Sequence, residues 1–349
     1  MKYFGILGKT LNLSLAEMKL LAPTDVSHED GIVYFQTQQE AQITQLGGLI
    51  KRGVICNEKE LGIQIKEASI NIVWVDSNEL GLMIKRNYGV RRYKIIDQER
   101  SDLEIKKKWA EVFSLWDGTY GLVMWRQNID LYSMIDFDKP AHGMQIGMMP
   151  SKLAQILVNI GVWVADSAET LTIYDPFCGF GTTNFIANHL GYHTIWSDIN
   201  ITPAKQNIKR RKTQSQYQED KHMTFFKHDV NDEFTKPFLD KVDVVVTEWR
   251  LGPVVKQEML KHKNQTHTIL KDNLWDIVDI YTAFLTNFKN RLPLVPIVMT
   301  VPEYLRLDHP IISDRITEAA VETWYTITSA WEVYQRKGQQ VGRRVLVLR

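Results

Sequence analysis

Three carboxylates stand where successive strands of the second half of the chain should end: Asp175, Asp198 and Asp229. Asp175 opens the run Asp175-Pro176-Phe177-Cys178-Gly179-Phe180-Gly181-Thr182-Thr183, which reads as a strand end, a glycine-bearing turn and a helix start. Glycines at 179 and 181 allow the backbone to approach a ligand closely. A dinucleotide fingerprint needs a third glycine near position 184, where Asn184 stands, and the Gly-Lys-Ser/Thr of a phosphate loop is missing. An acid just before the turn disfavours a pyrophosphate and favours a cation, such as the amino group of a methionine moiety. Asp198, followed by Ile199, closes the next strand, where an acid can accept both hydroxyls of a ribose. Asp229, followed by Val230, closes the third and can accept from an adenine amino group. Each acid taken singly could be a helix N-cap after a strand. Three at three successive strand ends describe a nucleoside pocket.

The elements that position these acids follow from periodicity. Residues 151–165 place Leu153, Ile156, Leu157 and Ile160 on one helical face. Strand 171–175, helix 181–190, strand 193–197, helix 203–212 and strands 223–227 and 242–247 follow. A long helix over 272–289 and a strand over 294–300 come next. Ala330 to Tyr334 and Val345 to Leu348 read as a hairpin around Lys337-Gly338. Strands alternating with helices imply an α/β fold with a doubly wound, mostly parallel sheet, and the hairpin adds antiparallel strands at its edge. Residues 1–145 read as a smaller α+β domain. It has strands over 2–7, 31–35 and 123–125, a capping box at Ser14-Leu15-Ala16-Glu17 opening a helix to about Leu21, and a second capped helix from Ser101 to about Trp116. Pro140, Gly143, Gly147 and Pro150 mark the boundary, and the second domain takes 146–349.

The bulk numbers set limits. A chain of 349 residues with 44% hydrophobic content suits two domains with real cores. No apolar run is long enough to cross a bilayer and no secretory leader is recognisable, so a cytoplasmic protein is expected. Two cysteines, Cys56 and Cys178, are too few for a disulfide framework or a four-thiolate zinc site. The histidines show no metal spacing, so no metal is expected. The net charge of +1 gives no global signal for nucleic acid, although a neutral sum can hide patches. One such patch is Lys85-Arg86-Asn87-Tyr88-Gly89-Val90-Arg91-Arg92-Tyr93-Lys94, with five cations, no acid and two interleaved tyrosines. Lys85, Arg86, Arg91, Arg92 and Lys94 can meet an RNA backbone with stacking support. The charges at Lys205, Lys209, Arg210, Arg211 and Lys212, and at Lys106-Lys107-Lys108, read as solvated helix faces.

Asp-Pro-Phe-Cys-Gly-x-Gly-Thr resembles the first motif of class I methyltransferases that modify exocyclic amines of nucleic acid bases. Upstream, Tyr132-Ser133, Asp136, Pro140-Ala141 and Gly147-Met148-Met149-Pro150-Ser151-Lys152-Leu153-Ala154-Gln155 resemble the segment ahead of the cofactor motif in the tRNA (guanine-10-N2)-methyltransferase family. Tyr3-Phe4-x-Ile6-Leu7-Gly8, Leu13-Ser14-Leu15-Ala16-Glu17, Leu46-Gly47-Gly48-x-Ile50-Lys51 and Gln340-Val341-Gly342-Arg343 resemble that family too. The resemblance spans most of the chain, weakly over 55–120. It implies a class I, Rossmann-like methyltransferase domain behind an RNA-binding THUMP-type domain, with S-adenosyl-L-methionine as cofactor and a guanosine N2 in tRNA as acceptor. It places Pro150, Lys152, Asp175, Phe177, Gly179, Gly181, Thr182, Asp198, Ile199, Asp229 and Val230 at the cofactor. A small activating protein is a second class of partner to consider beside tRNA or another structured RNA.

The fourth motif departs from the family. The family carries Asp-Pro-Pro-Tyr-Gly after this strand; here it reads Thr247-Glu248-Trp249-Arg250-Leu251-Gly252-Pro253. Glu248 falls on the acid and Gly252 on the glycine, while both prolines and the tyrosine are missing. If the site is active, Thr247, Glu248 and Trp249 form it. Glu248 then accepts from the target amine and the Trp249 indole stacks on a flipped base. The alternatives are a DNA amine methyltransferase, which shares the first motif, and a protein that binds cofactor and RNA without transfer.

Overall fold

The computed structural model describes residues 2–8, 10–20, 24–37, 43–96, 109–115, 118–141, 148–166, 171–211, 222–248, 263–304, 311–330, 333–335 and 341–349. Its contacts divide into two compact units. The first holds 1–11, 21–45 and 49–127, and the second holds 12–20, 46–48 and 128–349.

The first unit is built on one sheet of eight strands. These are β1 (Lys2–Leu7), β2 (Thr24–Glu29), β3 (Ile32–Gln36), β4 (Leu49–Cys56), β5 (Ile72–Val75), β6 (Arg92–Ile95), β7 (Ala110–Ser114) and β8 (Tyr120–Arg126). Their spatial order is β2-β3-β1-β4-β8-β7-β5-β6, with β5 parallel to β6 and β7 and the other pairs antiparallel. Helices α2 (Glu58–Glu67) and α3 (Asn78–Tyr88) bury Leu61, Ile65, Leu80 and Ile84 against Val73, Val75 and Val112. A reciprocal capping box, Asn57 with Glu60, starts α2. Gly89 at φ 72° ends α3 in the left-handed conformation that glycine adopts without strain. The helix expected over 101–116 is corrected in part. Residues 110–114 are strand β7, whose β-branched and aromatic side chains pair with β5 and β8, and 101–108 lie outside the described residues.

The second unit carries α1 (Leu11–Leu20, from Asn12 on), α4 (Ile129–Phe137) and α5 (Ser151–Ala165), then β9 (Thr172–Asp175), α6 (Thr182–His189), β10 (His193–Asp198), α7 (Thr202–Arg211), β11 (Met223–Lys227) and β12 (Val244–Glu248). After these come α8 (Lys263–Arg291), β13 (Ile297–Tyr304), α9 (Ile311–Glu322), β14 (Ile327–Ala330) and β15 (Val341–Leu348). The sheet order is β11-β10-β9-β12-β13-β15-β14. The pairs from β11 to β13 are parallel, and β15 runs antiparallel to β13 and β14, as the expected hairpin requires. Both faces are covered. Ile173, Val244, Val246, Val298, Val345 and Val347 pack against α5 and α6, while Tyr174, Val245, Met299, Leu346 and Leu348 pack against α8. Strand order reverses between β9 and β12, and a crevice outside the carboxyl ends of the strands belongs there. No helix among the described residues is long and apolar enough to cross a membrane.

The expected capping box at Ser14 and Glu17 is a second correction. Ser14 lies inside α1, and Glu17 is buried with 1% of its surface exposed. Its carboxylate accepts from the backbone N–H groups of Gly47 and Gly48, both at 2.8 Å, and from Asn159 Nδ2 on α5 at 2.6 Å. A Cβ on Gly47 would lie 2.7 Å from the Lys152 carbonyl, and one on Gly48 would lie 2.5 Å from Ser14 Cβ. The two N-terminal motifs therefore meet each other, and their small residues are what let the backbone come within reach of the acid.

Candidate cofactor and acceptor site

The turn after β9 is tied to the end of β10. Cys178 N–H donates to the Ser197 carbonyl at 2.9 Å, and Gly179 N–H donates to Asp198 Oδ2 at 2.9 Å. Gly181 adopts φ 83°, and a Cβ there would sit 2.6 Å from Trp196 Cζ3. The buried Trp196 ring is itself fixed edge-on to Phe185 and by its bond to Thr194. Both the conformation and the wall demand glycine.

Asp175 is 2% exposed and accepts from Phe177 N–H at 3.1 Å and from Thr247 Oγ1 at 2.6 Å. Burial pushes its carboxyl up to about 7, and the Thr247 and Phe177 bonds restrain the rise. Asp198 is pushed up by burial too, against the pull of the Asn200 and Gly179 amides. Asp229 Oδ1 accepts from the backbone and side-chain nitrogens of Asn231 at 3.0 and 2.8 Å. Glu248, at the end of β12, is paired with the guanidinium of Arg343 from β15. Burial raises the Glu248 carboxyl and the Arg343 charge lowers it.

These groups surround one pocket of about 460 Å³ at the carboxyl ends of the strands. Asp175, Phe177, Gly179, Thr182, Asp198, Ile199, Asp229, Val230 and Glu248 all line it. Thr247 stands behind Asp175, and Gly181 shapes the turn without lining the cavity. Pro150 and Lys152 are elsewhere: Pro150 caps α5 by its carbonyl, and Lys152 Nζ lies 5.5 Å from the Tyr132 ring centre. Trp249 and Arg250 lie outside the described residues.

The upstream segment mostly secures α5. Tyr132 donates its hydroxyl to Gln155 Oε1 at 2.7 Å, and Asp136 Oδ1 accepts from Ser151 N–H at 2.9 Å, capping the helix from α4. Among the described residues of that segment, only Met148 and Met149 reach the pocket. Sequence reasoning missed His228, Asn231, Thr183 and Ile280 in the lining. His228 and Asn231 flank Asp229, so their position was the available signal; Ile280 lies far along α8 and offered none. Lys139 was missed as well. It is buried and donates to Thr182 Oγ1 at 2.6 Å. His228 Nε2 is buried with no partner among the described residues, and burial lowers its pKa, which favours the neutral ring. Cys178 is a buried thiol held well above its ordinary pKa, as suits a packing residue. No group of three or more potential ligands could hold a metal among the described residues.

In the first unit, Lys85, Arg92, Tyr93, Lys94 and Trp109 line a second groove of about 350 Å³. Lys94 Nζ stands 4.9 Å from the ring centres of both Trp74 and Trp109. Arg86 and Arg91 are exposed and outside the groove. On α7, Lys205, Lys209 and Arg210 are exposed, as a solvated face requires, while Lys212 and residues 106–108 lie outside the described residues.

A seven-stranded sheet in this order, with its penultimate spatial strand antiparallel and its pocket at the switch point, has the class I, Rossmann-like methyltransferase architecture. TrmN from Thermus thermophilus shares the fold over 100% of this chain and 99% of its own, at 16% identity and a TM-score of 0.50. Magnesium protoporphyrin IX methyltransferase from Synechocystis PCC 6803, solved with bound SAM, matches 63% of this chain and 90% of its own at 13% identity and a TM-score of 0.37. The glycopeptide N-methyltransferase MtfA, complexed with S-adenosyl-L-methionine, matches 60% and 98% at 10% identity and a TM-score of 0.39. No family model matches the chain, and no curated protein matches it by sequence.

Proposed function

We propose that this protein is an S-adenosyl-L-methionine-dependent methyltransferase acting on an exocyclic base amine of RNA, with N2 of a guanosine in tRNA as the specific acceptor. The observation that carries the reading is the convergence of Asp175, Asp198, Asp229 and Glu248 on one pocket at the switch point of the sheet. The residues fit the cofactor. Asp198 suits the ribose hydroxyls, Asp229 the adenine amine and the buried Asp175 the cationic methionine end, and His228 offers in the same wall a ring nitrogen with no partner among the described residues. Bound cofactor supplies an activated methyl group on a sulfonium. The chain's own task is positioning, because an oriented amine needs little base catalysis. Glu248 accepts a hydrogen bond from the amine, Trp249 is assigned to stack on the base, and Met148 and Met149 wall the reacting end.

The experiment is transfer of labelled methyl groups to unmodified total tRNA, with nucleoside analysis and duplex DNA as the control. Labelled N2-methylguanosine supports the reading, and label in DNA alone would overturn it. Asp198→Ala is expected to raise the cofactor dissociation constant about 10- to 100-fold by calorimetry, since a hydrogen bond to a charged group is worth about 1.5–3 kcal/mol. Unchanged affinity would remove Asp198 from the site. One observation favours a non-catalytic binding protein instead: the Glu248 carboxylate already has Arg343 as a partner. Cofactor binding without turnover on any RNA would support that reading.

The first-unit groove is the proposed RNA contact. Lys85, Arg92 and Lys94 meet phosphates there beside two aromatic rings. Replacing Arg92 and Lys94 together by alanine should weaken tRNA binding and lower the slope of log affinity against log salt by about 1.5–2, while cofactor affinity stays unchanged. An unaltered slope would move the RNA path elsewhere.

A further inference from the structure

We propose that Arg343 is a positioning residue of the acceptor end of the pocket, fixing Glu248 as a carboxylate with one oxygen engaged and the other turned to the substrate. The inference rests on the methyltransferase reading above and deepens it.

Arg343 is 1% exposed, and buried arginines persist where they are paired. Its Nε donates to Glu248 Oε1 and its Nη2 donates to the Met148 carbonyl at 3.3 Å. Glu248 and Met148 both line the pocket, so one guanidinium joins two walls of it. The second Glu248 oxygen has no protein partner among the described residues. Arg343 is itself held by main chain: its N–H donates to the Tyr334 carbonyl at 2.9 Å and its carbonyl accepts from Tyr334 N–H at 2.8 Å. β13 lies between β12 and β15, so the two side chains reach across an intervening strand on the α5 face.

Two consequences follow from elementary chemistry. First, Trp249-Arg250-Leu251-Gly252 places no proline directly after Glu248 to restrict the backbone. A side-chain bond anchored to a distant strand fixes the acid instead. Second, an unpaired carboxylate at this depth holds its proton because burial disfavours the charge. A protonated acid offers one fewer acceptor to an amine. The Arg343 charge and its hydrogen bond oppose that effect of burial and favour the carboxylate. The other titratable groups of this pocket are Asp175, Asp198, Asp229 and His228 in its lining, and Tyr281 on α8 donates its phenol to the Thr300 carbonyl and is raised by burial and by the Glu248 charge.

The test uses the full chain with Arg343→Met, Arg343→Lys and Glu248→Gln. Single-turnover methyl transfer is measured across pH, cofactor affinity by calorimetry, and the Glu248 carboxylate by infrared difference against Glu248→Gln. Arg343→Met is expected to lose about 100-fold in rate at neutral pH, the scale of a misplaced reacting group, with cofactor affinity retained. Its rate should climb with pH as Glu248 ionises, and its infrared carboxylate band should be lost at neutral pH. Arg343→Lys should restore most of the rate and the band. A flat pH profile in Arg343→Met, or equal losses in both variants, would overturn the proposal. Should Arg343→Met fail to fold, Arg343→Lys and the wild-type band decide: a protonated Glu248 in the wild type at neutral pH also overturns it. If the wild type binds cofactor yet methylates no RNA, the functional reading fails while the infrared band still tests the Arg343 pair.

Discussion

Replacing Glu17 with alanine is expected to destabilise the second unit by about 3 kcal/mol or more, at roughly 1–3 kcal/mol for each buried donor left without an acceptor. Three donors lose their partner at once: Gly47 N–H, Gly48 N–H and Asn159 Nδ2. Thermal unfolding followed by circular dichroism should fall by about 6–12 °C, at about 2–4 °C per kcal/mol for a unit of this size. A change under about 0.5 kcal/mol, the usual range for an ordinary surface substitution, would show that the clamp is dispensable. Burial pushes the Glu17 carboxyl up from 4.5 to about 7. A carboxyl raised in the folded state binds its proton more tightly there than in the unfolded chain. Its contribution is therefore full below about 4.5 and is lost as pH rises to about 7. Across that window the loss is about 3 kcal/mol, and Asp175 adds a slope of the same sign. Glu17→Gln should remove the Glu17 share of that slope, while costing one bond where its amide faces Gly48 N–H. An identical slope in wild type and variant would assign the titration to other groups.

Gly181→Val is expected to have the second largest effect. The position combines φ 83° with a Cβ contact of 2.6 Å to a buried indole. The left-handed conformation costs a side-chain-bearing residue about 1–2 kcal/mol, and overpacking adds about 1–3 kcal/mol. Neither neighbour can yield cheaply, because Trp196 is fully buried and Phe185 meets it at 5.1 Å. Relief by moving the start of α6 displaces Thr182 and Thr183, which line the pocket. Cofactor affinity should then drop at least about tenfold, the equivalent of 1.4 kcal/mol. Gly179→Ala serves as the comparison: its φ is 49° and its Cβ meets only a backbone oxygen at 3.9 Å. It should cost less than Gly181→Val in stability. Equal costs would mean that conformation, and not the Trp196 wall, sets the requirement at 181.

What was legible in the sequence follows from how local each signal is. Strands β9 to β13 and β15 of the second unit showed as short apolar runs, whereas β14 was expected over 330–334 and lies at Ile327–Ala330, and the turn at 175–183 announced itself by its acid and its glycines. α5 showed as a helix by its 3.6-residue spacing. The failures came where a long-range partner decides. Ser14 and Glu17 have the spacing of a capping box, yet Glu17 serves residues about 30 and 142 positions away. Residues 110–114 read on from a capped helix start, but pairing with β5 and β8 makes them a strand. The acid of the fourth motif was found by its place at the end of β12. Its partner Arg343, 95 positions on, belonged to a tail motif with no stated task. α9 was missed although Ile316, Ala319 and Ala320 are buried, because its packing against α8 and β13 supplies the order.

The placement of Asn12–Leu20 and Leu46–Gly48 in the second unit has a consequence for how the protein is made. Helix α1 leaves the ribosome before any of α5 has been synthesised. Its buried carboxylate and its apolar side chains, Leu13 among them, must wait through more than a hundred residues of translation for the surface that receives them. Closing so large a loop is slow, and the waiting segment is open to wrong partners meanwhile. A gene fragment starting at 146 would encode the whole pocket and still lack the peptide that completes its supporting helix layer. The unit that carries the pocket is contiguous as a site and discontinuous as a chain.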